Sequence, residues 1–114
     1  MKYPDEQGET AMPTGPVPTV FEAIVRKKCL TATYNKLPIV LAPHIIFTRH
    51  GEMYVDGVVL EREGKPPREF KVGTFKLIGL VDLALVDRNF QVSELFSPSD
   101  PKYADNALMA VEHA

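Results

Sequence analysis

Between residues 30 and 86 the chain is cut into short β-prone runs by turn signals at 35–38, 50–52 and 63–67, which points to a mostly β fold. Thr31-Ala32-Thr33-Tyr34 is rich in β-branched and aromatic residues and stops at Asn35-Lys36-Leu37-Pro38. Residues 39–47 form the longest apolar run, and Pro43 marks a bend or a sheet edge, because proline has no N–H to give a ladder. Arg49-His50-Gly51-Glu52 reads as a hairpin turn in which Gly51 supplies a positive φ. A further arm covers residues 53–61, and Glu63-Gly64-Lys65-Pro66-Pro67 turns the chain again. Phe70 and Val72 then alternate with Glu69 and Lys71, and residues 75–86 complete the set with Gly79 as a bulge.

Helical patterns flank these strands. Thr19 with Glu22 has the spacing of a capping box, and Phe21, Ile24 and Val25 share one face of a short helix ending near Lys28. Arg26, Lys27 and Lys28 fall in its last turn, where positive charge suits the helix dipole. At the other end, Asp100 and Pro101 form a helix-start signal, and Ala104, Ala107, Leu108 and Val111 make one apolar stripe. The expected architecture is a small five-stranded antiparallel barrel with an N-terminal capping helix and a C-terminal helix. Residues 1–18 are expected to be an extended or flexible arm, 19–92 the barrel domain, and 93–114 an extension carrying the second helix. That helix needs a surface to cover its stripe. Its own barrel would serve; a second copy is the expected cover, which makes the chain a homodimer.

A chain of 114 residues has room for one core, and 45% hydrophobic with 25% charged residues is ordinary for a globular domain. The net charge of −2 is unevenly spread: residues 19–92 carry eleven Lys/Arg against eight Asp/Glu, while both flanks are acidic. That excess permits an anionic ligand without requiring one. Acidic residues stand where a signal peptide would need an apolar stretch, and residues 39–47 are too few to span a bilayer. With a single cysteine, Cys29, the expected setting is cytoplasmic, with no membrane attachment.

Chemistry-bearing motifs are sparse. No phosphate loop, GxSxG or HExxH is present. Cys29 and His44 could be paired as nucleophile and base, although a lone cysteine entering a strand is far more often a small core hydrophobe. His44 and His50 lie six residues apart, about 20 Å along an extended strand, too far to share a metal ion. The expectation is a binding protein rather than an enzyme, with no metal and no cofactor.

Read together, Phe21-Glu22-Ala23-Ile24, the strand-end Tyr34, Pro43, Met53-Tyr54-Val55 and Arg68-Glu69-Phe70-Lys71-Val72 resemble, in order and spacing, the WYL domain family. These domains are named for a Trp-Tyr-Leu tripeptide and occur mainly in bacterial transcriptional regulators. The tripeptide retains only its tyrosine, and Ile39-Val40 and Gly73-Thr74 stand where most members carry arginine. The resemblance implies an Sm-like β-barrel acting as a stand-alone ligand-sensing or regulatory module. Its ligand would be anionic, a nucleotide or single-stranded nucleic acid, met by Tyr34, His44, Arg49, Tyr54, Arg68 and Lys71. The tyrosines would stack on bases and the other residues would meet phosphate or carboxylate oxygens. The competing expectation is a protein–protein adaptor without a small ligand, suggested by the missing arginines and the apolar C-terminal stripe.

Overall fold

A computed structural model describes residues 15–113 and begins with a helix set by proline rather than by a side-chain cap. Helix α1 (Pro16–Arg26) has Gly15 as its N-cap with φ 90°, and Pro16 in its first turn, where a missing N–H costs nothing. Thr19 and Glu22 therefore lie inside the helix, and the expected capping box does not form. Glu22 instead pairs with Arg26 one turn on, at 2.5 Å. The buried face is Val20, Ala23 and Ile24; Phe21 is half-buried and Val25 is exposed, so the expected Phe21–Val25 stripe is displaced. Lys27 closes the helix in the left-handed conformation. Of the expected arm, residues 1–14 lie outside the described residues and 16–18 form the first helical turn.

Three strands follow, β1 (Lys28–Tyr34), β2 (Leu37–Arg49) and β3 (Glu52–Arg62), joined by tight hairpins. Asn35 and Lys36 take positive φ, as do His50 with Gly51 and Glu63 with Gly64, so each expected turn holds a left-handed pair. Such pairs match the right-handed twist of flanking strands. The expected strand over residues 75–86 is divided. Strand β4 (Val72–Lys76) runs into a 3-10 turn, Leu77–Gly79, before β5 (Val81–Asn89). Gly79 is in that turn rather than in a bulge, and a Cβ on it would lie 2.9 Å from the Tyr34 ring. Residues 68–71 are irregular, and Phe70 is exposed.

The strands make one antiparallel sheet in the order β4-β3-β2-β1-β5, with a sixth strand, β6 (Ala107–Ala110), also on β2. Among the described residues β4 and β5 do not pair with each other, so the sheet is open rather than a closed five-stranded barrel.

The C-terminal helix is not there. Asp100 caps it as expected, its side chain accepting from the Lys102 N–H, yet only one 3-10 turn forms, Pro101–Tyr103. The chain then extends into β6. The reason lies in β2: β1 pairs with it only up to Leu41, leaving the backbone of Ile45, Ile46 and Phe47 open on that edge. A short isolated helix is marginal, and strand pairing there satisfies both partners' backbone groups. Of the residues expected to face a second copy, Tyr103 and Val111 are buried within the chain, whereas Ala104, Ala107 and Leu108 stay exposed.

Leu41 through Phe47 are all buried, so this part of β2 is covered on both faces. Pro43 sits where the edge changes partner from β1 to β6, and pairs with Gly57 on the other side. The register then shifts, leaving His44 as the extra residue of a bulge. A Cβ on Gly57 would lie 2.4 Å from the Ala42 carbonyl oxygen, which is backbone and cannot swing aside. Gly57→Ala is therefore expected to cost about 2 kcal/mol or more in urea unfolding. A loss under about 0.5 kcal/mol would mean that the two backbones are not this close.

Candidate functional site

In an antiparallel pair, residues directly opposite one another share a face. The register places Arg49 opposite Glu52, Phe47 opposite Tyr54, and Ile45 opposite Asp56, with Lys76 and Thr74 of β4 beyond Tyr54 and Asp56. These residues form one face of the β2–β3–β4 layer. Tyr54 is half-buried and stacks on Phe47 with ring centroids 5.8 Å apart. The Arg49 guanidinium lies 4.9 Å over the Tyr54 ring, a cation–π arrangement. Lys76 is bonded to Glu52 at 3.0 Å; that hydrogen bond, and then the charges of Glu52 and the nearby Tyr54 and Tyr34, hold its ammonium charged.

The segment after β5 packs onto the same layer. Tyr103 meets Phe47 edge-on at 5.2 Å, and the Lys102 ammonium lies 5.8 Å over Phe47 and 5.2 Å over Tyr103. Beneath them Asp56 is fully buried. One of its oxygens accepts from the Tyr103 hydroxyl at 2.5 Å and meets Lys102 Nζ at 2.7 Å. The other, Oδ1, has no hydrogen-bond partner among the described residues. Burial, followed by the bond to Asp56, pushes the Tyr103 hydroxyl well above its ordinary range, so it stays a donor.

The residues named from the sequence divide here. Arg49 and Tyr54 come together. Tyr34 packs edge-on against Phe75 at 5.0 Å and is close enough to Lys76 to act on its charge. His44 does not join them, being fully buried between Phe90 and Phe96 at 5.1 and 5.2 Å. Its Nε2 accepts from the Ser93 N–H at 2.9 Å, which leaves Nδ1 to donate to the Ala42 carbonyl, also at 2.9 Å. Burial, foremost, pushes its pKa down. Arg68 and Lys71 are exposed in the irregular segment; Lys71 lines a separate depression of about 240 Å³ with Arg62 and Glu69.

With both ring nitrogens of His44 engaged elsewhere, it does not pair with Cys29, whose thiol burial pushes up. Among the described residues no group of three His, Cys, Asp or Glu is placed to hold a metal ion. No described helix is long and apolar enough to cross a membrane.

Sequence reasoning missed Lys76, Lys102, Tyr103 and Asp56. Asp56 carried a signal, an acid between Val55 and Val58 within a strand run, whereas Lys102 and Tyr103 were hidden inside the helix reading. Comparison with family models, with curated proteins and with solved structures finds no match for this chain.

A buried carboxylate that loses its cation keeps the desolvation cost, whereas an exposed pair contributes little. Lys102→Met is expected to lower stability by about 2 kcal/mol, against less than about 0.5 kcal/mol for Glu22→Gln at the exposed Arg26 pair. Equal losses in urea unfolding would contradict the burial of Asp56.

Proposed function

We propose that this chain is a WYL-like ligand-sensing or regulatory module, not an enzyme, linked to transcriptional regulation. It binds an anionic ligand of nucleotide or single-stranded nucleic-acid chemistry on the face centred on Tyr54. The observation that carries this reading is the stack itself: an aromatic platform, Tyr54 on Phe47, with Arg49 over it, Lys76 beside it and Lys102 over its inner ring. Such a surface offers a base a flat partner and its phosphates a cation. The pattern Met53-Tyr54-Val55 fits this use, because strand alternation turns Tyr54 to the platform and Val55 to the core. An Sm-like barrel is the matching architecture: β4 and β5 are the two edges of the open sheet, yet only residues 77–80 separate them. The buried thiol of Cys29 suits a reducing, cytoplasmic setting.

A second reading, a protein adaptor, is favoured by a groove of about 550 Å³ beside the start of α1. Pro16, Val17, Met53, Leu77 and Ile78 line it together with Gly51 and the charged pair Glu52 and Lys76, and Ile78 is 82% exposed. An apolar side chain so exposed at the rim of a mostly apolar groove marks a contact surface.

NMR titration with ATP and with a short uridine-rich oligonucleotide separates the two. Under the ligand reading, resonances of Arg49 and Tyr54 shift, whereas Lys76 borders both surfaces and does not discriminate. Arg49→Ala with Lys76→Ala then weakens binding about tenfold or more and flattens its salt dependence, because phosphate contacts release counterions. No shift around Tyr54 at millimolar ligand would contradict it and leave the groove as the working surface.

A further inference from the structure

One residue holds both ends of the C-terminal segment. The His44 ring accepts the Ser93 N–H through Nε2 at 2.9 Å, and the His44 carbonyl accepts the Val111 N–H at 2.7 Å. Between these points the segment is tied by the Thr48 N–H to the Asn106 carbonyl at 3.1 Å, by Asp56 to Lys102 and Tyr103, and by three β6 register pairs interrupted by a shift. We propose that residues 93–111 are an acid-released strap: neutral His44 latches the strap over the Phe47–Tyr54 face, and protonation of His44 opens it.

The latch works through a change of hydrogen-bond role. Neutral His44 donates from Nδ1 and accepts at Nε2; the imidazolium donates from both and has no lone pair for Ser93. Its new N–H would face the Ser93 N–H within a fully buried site. The surroundings do not rescue that charge. Phe90, just after β5, and Phe96, on the segment, pack on the ring without charge. His113, beyond the strap's end, repels an imidazolium. Asp56 on β3 stands opposite Ile45, next to His44, but its carboxylate is engaged by Lys102 and Tyr103. Arg49, further along β2, lies over Tyr54, and on α1 Glu22 pairs with Arg26.

Opening removes Lys102 and Tyr103 from Phe47 and bares the edge of β2 at Ile45–Phe47. The bearing of this on ligand binding rests on the function proposed above; the opening itself does not. The sign follows from linkage. A histidine held neutral by the fold stabilises the closed strap fully above its ordinary pKa of 6.5, and that contribution is lost as pH falls below it.

Native-state amide exchange on the full chain tests this between pH 7.5 and 5.5, corrected for the intrinsic pH dependence of exchange. Thr48, Ser93 and Val111 are expected to share one opening reaction whose constant rises about tenfold per pH unit below about 6.5. The amides of β1 keep their protection. His44→Gln retains a donor and an acceptor but does not titrate, and removes the pH dependence. Should that variant fail to fold, the imidazole 15N shifts of the unaltered protein serve instead, with His44 keeping its neutral Nδ1–H form below pH 6.5 while strap exchange rises; a ring that becomes protonated with the strap still closed would overturn the latch. Strap amides indifferent to pH, or losing protection together with β1, would overturn the proposal. Strap opening without any nucleotide effect at Tyr54 would leave the strap intact and remove only the proposed ligand.

Discussion

The structure depends on covering β2 from both sides. Leu41 to Phe47 are buried without interruption, which one layer of packing cannot achieve for a strand whose side chains alternate. Helix α1 contributes Val20, Ala23 and Ile24 to the single apolar core, while Phe96, Tyr103 and Val111 of the C-terminal segment join it from the chain's other end. The consequence is that a charged group, Asp56, ends up sealed under the second layer. Burying a carboxylate is costly unless it is bonded and paired, so Tyr103 and Lys102 both decide where the segment lies and depend on Asp56 being there.

What could be read from the sequence was what rests on local chemistry. The turns at residues 35–36, 50–51 and 63–64 form where asparagine, glycine and their neighbours announce them, because a left-handed pair is a property of a few adjacent residues. The meaning of Pro43 was also local: it marks where one edge of β2 changes partners. The C-terminal helix failed for the opposite reason. Ala104, Ala107, Leu108 and Val111 have helical spacing, but the open backbone edge at residues 45–47 exists only once β1 has stopped at Leu41. No window around residue 107 contains that information.

The candidate site shows the same division. Tyr54 and Arg49 were legible because a hairpin sets them on one face a few residues apart. His44 was misjudged from its residue type, since a strand histidine looks like a ligand until a bulge turns it into the core beside Phe90 and Phe96. Lys102 reaches Asp56 across 46 positions of sequence, counted from the two residue numbers, so nothing local announces the contact. The cation that completes the Tyr54–Phe47 platform therefore comes from the part of the chain whose fold was read wrongly.

The most direct test of this arrangement is a double-mutant cycle between Asp56, on β3, and Tyr103, in the 3-10 turn, 47 residues apart in sequence. Asp56→Asn, Tyr103→Phe and the double variant are compared by urea unfolding at pH 7.5. If the buried bond anchors the segment to β3, the two losses fail to add, with a coupling of about 1–3 kcal/mol. Additivity within about 0.5 kcal/mol would mean that the two side chains do not meet, and that the second layer is held by something else.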